Sequence, residues 1–480
     1  MPDWSCEIVD VNYEINRSLS LVRNIIDDSV AEKKASLEDE WEQKILGRDF
    51  DILGIGGIVP CFNFAEDLIA RAAAARPGAW AVVGGGLGLP LKDLWYNTKA
   101  DYLVEGDAEG TLVSILRAYP DKEEMSRIEG VYHRDSGIWA GRPPALSNDL
   151  DAIAYPDWDD VDVEYFMASQ KRWVTNALPK RYYPDIKDVR VLPIVMTRGC
   201  PYACTFCFHF NRSHRKHSID YMVDYIAHLE KRHGVNMLQT WDDLIITDRK
   251  WFLRLCEALK KRGVVTKIFM SGGKPNLIDA EMVRGMKEAG VVRISYGIES
   301  GSPSVLKEMK KMATVEDNAR AVRLAIEAGI HTHMNMVIGM PSETEATLCE
   351  TRDFILGLQK TTDIGSENVS FAFATAYPGT ELFDRALSKG LVRDIRRYVG
   401  ENKGVGNYTL DLCGLGERHL RKFAEGLLIK LDLRHLVRHP SLLATSRVMF
   451  VRIPRFIANF YLPRKALRIL KKIRAFLHLN

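Results

Sequence analysis

The feature that most constrains this chain is a rhythm: short apolar stretches, several ending in glycine, alternate with helix-length amphipathic stretches from residue 51 to about 390. Asp51-Ile52-Leu53-Gly54-Ile55-Gly56-Gly57 reads as a strand, and Phe64 to Ala75 as an Ala-rich helix. Ala79 to Gly86 and Ala100 to Gly106 repeat the strand pattern before a helix at 109–118. A second series predicts strands at 191–197, 235–241, 266–271, 292–298, 331–338 and 367–375. Among its helices, 219–233 has Ser218 as N-cap and Gly234 as its stop, and 279–289 ends at Gly290. Strands alternating with helices dictate parallel sheets covered by helices, with right-handed crossovers. The fold class expected is therefore α/β, with an N-terminal parallel sheet, a partial (β/α)6 barrel and a helical C-terminal region. Ligands of such sheets collect at the carboxyl ends of the strands.

One of those ends carries Arg198-Gly199-Cys200-Pro201-Tyr202-Ala203-Cys204-Thr205-Phe206-Cys207, which holds three of the eight cysteines. Three thiols so close together suit a metal. Zinc would need a fourth Cys or His at regular spacing, and His209 and His214 do not complete a zinc-finger pattern. An iron–sulfur cube fits better. Such clusters are normally held by four thiolates, so a trio leaves one iron open to a substrate or cofactor.

The C-x3-C-x2-C spacing after a strand, with Phe206 before the third cysteine, resembles the signature of the radical-SAM superfamily. The resemblance implies a [4Fe–4S] cluster on Cys200, Cys204 and Cys207. Its open iron would chelate S-adenosylmethionine (SAM), and one-electron reduction would release a 5′-deoxyadenosyl radical. Further motifs follow in family order. The group receiving the SAM amino nitrogen would come from Trp241-Asp242-Asp243, Asp243 before Asp242, although an N-cap pair is the plainer reading. Ser271 and Lys274 of Ser271-Gly272-Gly273-Lys274 would meet the SAM carboxylate. Glu299 and Ser300 of Gly297-Ile298-Glu299-Ser300 would lie near its ribose and methionine parts. Gly339 of Ile338-Gly339-Met340-Pro341 would shape the adenine side, with Glu343 better read as serving the next helix. Tyr377 and Pro378 of Tyr377-Pro378-Gly379-Thr380 would form a turn pairing with adenine.

The first series also resembles a family pattern. Gly56-Gly57, Gly84-Gly85-Gly86 and Glu105-Gly106 resemble the ligand edge of the Rossmann-like, cobalamin-binding domain that precedes the barrel in one radical-SAM subclass. Each glycine could equally serve a tight turn. Two departures bear on cobalamin. Residues 1–130 contain no histidine for a lower cobalt ligand, and Glu7-Ile8-Val9-Asp10 resembles that domain's second strand, as though its first strand and helix were missing. The expected organisation is a Rossmann-like domain at 1–127, a connector at 128–190 with a hairpin turning at Asp135-Ser136-Gly137, the barrel at 191–390 and a basic helical region at 391–480. With cobalamin, the resemblance implies methyl transfer to carbon. Without it, a radical cyclase, oxidase or rearrangement enzyme is implied, as in anaerobic Mg-protoporphyrin cyclase-like relatives. A degenerate, non-catalytic cluster protein is the third option.

Composition adds the compartment. The five remaining cysteines are scattered singly, no apolar leader opens the chain, and no run reaches the ~18 apolar residues of a membrane span. A cytoplasmic enzyme with a small-molecule substrate follows, lipid-like or macrocyclic among the options, with an electron donor such as flavodoxin or ferredoxin. From Arg447 to Asn480 there is no acidic residue, while Arg447, Arg452, Arg455, Arg464, Lys465, Arg468, Lys471, Lys472 and Arg474 interleave with apolar side chains. Either these are late helices packed on the barrel, or they form a surface helix that holds the protein peripherally on anionic lipid. No RNA-binding module follows the barrel, so nucleic acid is not expected as a partner.

Overall fold

The computed structural model describes residues 4–8, 39–40, 42–263, 266–402, 407–440 and 448–461. The chain divides into two compact units. Residues 1–163, 208–211 and 377–404 form the first, and 164–207, 212–376 and 405–480 the second.

The first unit is built on a five-stranded sheet in the order β1 (Ile52–Gly57), β2 (Trp80–Gly85), β3 (Tyr102–Val104), β4 (Val131–Asp135) and β5 (Ile138–Gly141). The first three strands are parallel; β4 and β5 add an antiparallel hairpin. Its turn is Ser136-Gly137, both at positive φ, as a two-residue hairpin turn requires. Side-chain alternation separates two cores. Ala81, Val83 and Leu103 face a cluster with Phe62, Ile69, Leu87, Trp95 and Val399. Trp80, Val82, Tyr102 and Val104 face the other side, with Ile115 and Met125. Both faces are covered, partly by α1 (Phe62–Ala75) and α2 (Ala108–Ala118), which is why β2 reads as a continuous apolar run. Residues 4–8 have no regular structure, and Val9 and Asp10 of the strand expected at Glu7–Asp10 lie outside the described residues.

The second unit holds six parallel strands in sequence order: β6 (Val191–Ile194), β9 (Met237–Thr240), β10 (Lys267–Gly273), β11 (Val291–Glu299), β12 (His331–Ile338) and β13 (Val369–Phe373). The sheet is an open arc, since β6 and β13 do not pair with each other. A separate ribbon, β7 (Thr197–Arg198) with β8 (Arg215–Lys216), follows β6. Helix α3 (Val163–Ala177) and the chain up to Val189 plug the N-terminal end of the sheet. There Val174, Leu178, Tyr183 and Ile186 pack on Val191, Met237, Phe269 and Val292. The connecting helices are α4 (Ile219–His233), α5 (Arg249–Lys261), α6 (Ala280–Glu288), α7 (Val315–Glu327) and α8 (Glu345–Thr361). Each starts at a side chain that accepts a backbone N–H: Ser218, Asp248, Asp279, Thr314 and Thr344. A cap of this kind contributes ~1 kcal/mol.

Two later helices complete the picture, α9 (Glu381–Ser388) of the first unit and α10 (Glu417–Arg438) of the second. Helix α10 runs antiparallel to the strands. Its start places Leu420 against Ile338 and Phe373 at the C-terminal end of the sheet. Its later part brings the Leu431 carbonyl onto Gln359 Nε2, 2.9 Å away, at the other end. Beyond it, α11 (Ile453–Tyr461) lies on α10 through Arg418 Nη2, which donates to the Phe460 carbonyl at 2.6 Å.

Candidate active site

In the second unit the site grows from the chain leaving β6. The β7–β8 ribbon closes residues 199–214 into a loop, and Gly199 turns into it at φ +84°. Within the loop lie Cys200, Cys204 and Cys207; the first two are half-buried, and Cys207 keeps a solvent-facing surface. Crowding by protein raises the Cys200 and Cys207 thiols, Cys207 to about 12, and neighbouring sulfurs add to the rise in both. The three sulfurs are thus close enough to feel one another. Three thiols on one short loop, with no fourth cysteine among residues 199–214, fit a cluster that keeps one corner open.

A second segment braces this loop. Met309 O accepts from Thr205 N at 3.1 Å, and Lys310 O faces Cys204 Sγ at 3.9 Å. Lys310 and Met312 adopt positive φ, as does Glu299 at the end of β11. For side-chain-bearing residues each costs of order 1–3 kcal/mol, so the surroundings must hold them there. Part of that hold is an ion pair: Lys311 Nζ donates to Glu299 Oε1 at 2.8 Å, with both side chains about nine-tenths buried. Burial alone would depress the Lys311 ammonium, but Glu299 and the Cys204 sulfur outweigh it and leave Lys311 above its ordinary value. Sequence reasoning missed Lys311. Its signal was a Lys310-Lys311 pair on a segment with no glycine to explain its turn.

The aspartates at the end of β9 divide their roles. Asp242 is buried, and its Oδ1 accepts from Met196 N, Thr197 N and Thr197 Oγ1 at 2.9, 2.6 and 2.8 Å. That carboxylate ties the chain leaving β6 to the end of β9, and burial pushes it up to about 6. Asp243 is exposed, and its Oδ2 accepts from Gly199 N at 3.1 Å. Of the two, Asp243 is the one that keeps an exposed carboxylate.

Lys274 is also buried. It donates to the Lys311 carbonyl and lies 3.8 Å from the Tyr202 ring centroid, and burial lowers it to about 8. Lys274, expected from the sequence to meet the SAM carboxylate, clamps the 309–312 segment to the cysteine loop in this structure. Ser300 is likewise interior, bonded to Thr351 Oγ1 at 3.1 Å and to Ser302 N at 3.0 Å. Ser271 is half-buried at the end of β10, and Phe206 is half-buried in the cysteine loop. Gly339 turns at φ +87° after β12. Glu343 accepts from Gly339 N at 3.4 Å and from Thr347 Oγ1 at 2.6 Å, so it serves the turn into α8.

Other predicted residues lie in the first unit. Tyr377 packs at the edge of the Phe62 cluster, and Thr380 O–H closes the turn onto the Tyr377 carbonyl at 2.7 Å before capping α9. Pro378 occupies that turn. The glycines at the ends of β1 and β2 stand level, Gly56 opposite Gly84 and Gly57 opposite Gly85. A Cβ on Gly57 would come 2.9 Å from Leu87, and one on Gly86 would come 3.3 Å from the Gly57 carbonyl; Gly85 has φ +66°. Those three answer to the turn. Gly56 and Gly54 would meet nothing within 4 Å, and Gly84 only ordinary contacts, so backbone there is bare without packing requiring it. Glu105 is engaged by Tyr132 Oη at 2.7 Å, and Gly106 at φ +83° is pressed by Pro144.

Comparison with known proteins supplies the context. Residues 194–355 match the model of the radical SAM superfamily. An uncharacterised methyltransferase from Pyrococcus horikoshii is 27% identical over 297 residues, covering 61% of this chain and 59% of that protein. The anaerobic magnesium-protoporphyrin IX monomethyl ester cyclase of Cereibacter sphaeroides is 28% identical over 361 residues, 72% of this chain and 55% of the cyclase. The chain thus spans less than two thirds of the length of either relative. In fold it is similar to OxsB, a cobalamin-dependent SAM radical enzyme, with TM-score 0.63 at 14% identity over 92% of this chain and 69% of that one. It is also similar to the radical SAM methyltransferase TsrM of Kitasatospora setae, with TM-score 0.57 at 17% identity over 74% of this chain and 69% of that one.

Proposed function

Because residues 194–355 form a radical SAM domain, we propose that this chain is an enzyme that reductively cleaves SAM and uses cobalamin to transfer a methyl group to an organic small molecule. The observation that carries the reading is the braced loop holding Cys200, Cys204 and Cys207 beside the buried Glu299–Lys311 pair. A [4Fe–4S] cluster, when bound, supplies an electron and an open iron for the amino and carboxylate groups of SAM. The cysteines would hold it as thiolates. Asp243 offers an exposed carboxylate to the amino group, and Ser271 a hydroxyl to the carboxylate. Glu299 would accept from the ribose hydroxyls, its position fixed by Lys311, while Gly339 offers backbone to adenine. A flavodoxin- or ferredoxin-type protein would deliver the electron.

Cobalamin, when bound, supplies a methyl carrier. The bare backbone of Gly56 and Gly84 at the level ends of β1 and β2 is where the first unit would take so large a ligand. The relatives named methyltransferases and the cobalamin-dependent OxsB support this half of the proposal. Anaerobic reconstitution with iron, sulfide and cobalamin, followed by SAM and dithionite, tests it. The expected products are 5′-deoxyadenosine and S-adenosylhomocysteine, with a cobalamin spectrum on the purified protein. Deoxyadenosine alone would leave the cyclase-like chemistry of the second relative, and neither product would overturn the enzyme reading.

For the C-terminal region we propose peripheral contact with anionic lipid. Helix α11 is tied to α10 by one side, yet Ile457 on it and Met449 and Val451 just before it are 46%, 50% and 53% exposed, and the basic run continues beyond it. No helix among the described residues is long and apolar enough to cross a membrane. Residues 462–480 lie outside the described part. Liposome flotation of the full chain against one ending at residue 446 decides: equal recovery in the soluble fraction removes the contact.

A further inference from the structure

At the N-terminal end of the six-stranded sheet, opposite the cysteines, three ligand-type side chains of the second unit meet. Asp363 sits in the loop between α8 and β13; His435 lies in the last turn of α10, and His439 follows as its C-cap. Asp363 Oδ1 is 2.7 Å from His439 Nε2 and 3.5 Å from His435 Nδ1, and the two imidazoles lie 4.7 Å apart between centroids. One ligand atom from each of the three lies within 4.8 Å of the others. Spacing of four residues on a helix puts the two histidines on one face. Nothing in the SAM or cobalamin motifs involves them.

The meeting is built rather than incidental. Gln359, 1% exposed, donates through Nε2 to Ile364 O at 3.0 Å and Leu431 O at 2.9 Å, locking the Asp363 loop to α10 from beneath. Arg438 bonds the carbonyls of Gln359 and Thr362, so the guanidinium next to the site is directed at backbone oxygens. The Asp363–His439 hydrogen bond occupies one imidazole only, and His435 aims its Nδ1 at the same oxygen from farther away. Three ligands on a zinc at ~2.0–2.1 Å would stand about 3.3 Å apart, which the observed 2.7 and 3.5 Å bracket. Asp363, His435 and His439 have side chains 54%, 26% and 52% exposed, so water can complete a coordination sphere and an ion can enter.

We infer that Asp363, His435 and His439 bind one divalent transition-metal ion, with zinc as the fitting occupant. Two imidazoles and one carboxylate suit a borderline ion of this kind, whereas calcium and magnesium want oxygen throughout. The ion joins the end of α10 to the loop feeding β13, on the face of such barrels that serves stability rather than chemistry.

The test uses the full-length chain with its cluster reconstituted, dialysed against chelator-buffered zinc, with zinc, iron and sulfide counted by mass spectrometry and colorimetry. One zinc per chain is expected beyond the cluster iron. His435→Gln and His439→Gln should each lower zinc affinity at least about 10-fold with iron and sulfide unchanged. Added zinc should raise the melting temperature of the parent and not of the variants. Equal zinc retention by parent and variants, or none in the parent at micromolar free zinc, overturns the site. Should a histidine variant fail to fold, the near-isosteric Asp363→Asn decides by the same count.

Discussion

At the C-terminal end of the six-stranded sheet Lys311 is buried 2.8 Å from a carboxylate, on a segment where two non-glycine residues take positive φ. At the N-terminal end Arg293, 3% exposed, is buried with one backbone carbonyl, that of Ala177, and the Phe269 ring 4.4 Å away. Among the described residues no carboxylate answers it; burial lowers its neighbours on β12, His331 and His333, instead. The same strands therefore end in two environments. One stores charge in pairs and strain in its backbone, as a site that must orient polar ligands does. The other buries a guanidinium with a carbonyl and a ring, keeps ion pairs such as Lys267–Asp185 at its rim, and packs α3 and the following loop against strand starts. Each prediction below removes a group from one end and asks whether the cost has the character of that end.

The largest effect belongs to the cysteine loop. Cys200→Ala, Cys204→Ala or Cys207→Ala should each abolish iron–sulfur absorbance and drop deoxyadenosine formation to background, with far-ultraviolet circular dichroism unchanged. Cluster retention in any one of them would break the assignment of that cysteine. Next comes Lys311→Met. Removing one member of a buried pair leaves the Glu299 carboxylate uncompensated, and the expected loss is about 3–5 kcal/mol in urea unfolding. The double variant Glu299→Gln/Lys311→Met should recover most of that stability and none of the SAM cleavage. Recovery of both would mean that the pair only supports the fold.

Much of this contrast was legible in the sequence because it rests on periodicity and spacing. Strand β12 falls on its expected bounds, 331–338, and α4 on 219–233, because alternation and cap residues are local signals. The cysteine trio was legible for the same reason. The division between Asp242 and Asp243 was not, since it depends on which of two adjacent side chains turns toward Thr197, 45 residues earlier. Lys274 and Ser300 read as ligands because nothing local announces the Lys311 carbonyl or the Thr351 hydroxyl that engage them. The Asp363 cluster escaped because its acid stands 72 residues before the first histidine.

An intermediate effect is expected from His331, 1% exposed, with neither ring nitrogen hydrogen-bonded and Tyr182 edge-on at 5.1 Å. Burial, then the nearby Arg293 charge, lowers its pKa to about 3. The unfolded chain takes up a proton below about 6.5, which the native chain refuses until far lower pH. Its contribution is therefore complete above that value and lost as pH falls from 6.5 toward 3. Between pH 7 and 5 the loss from this residue is about 2 kcal/mol. His331→Leu should flatten the acid limb of a stability–pH curve by that amount, and an unchanged slope would show that the ring is protonated or solvated in the native state.

The smallest effect separates the two ends most cleanly. Arg293 stays charged at neutral pH even though burial lowers it to about 10, and its Nε has no hydrogen-bond partner. Replacing a poorly compensated buried ion with an apolar side chain of similar length is often neutral or stabilising. Arg293→Met gives up one hydrogen bond to Ala177 O and a cation–π contact, together about 2–5 kcal/mol, and gains the desolvation that the guanidinium had forfeited. The net expected change in unfolding free energy from urea denaturation is within about 1 kcal/mol of the parent, against the several lost at Lys311. The substitution should leave SAM cleavage intact, because Arg293 begins the strand whose far end carries Glu299. A loss as large as that of Lys311→Met would show that Arg293 faces a counter-charge, and that both ends of the sheet are built on paired ions.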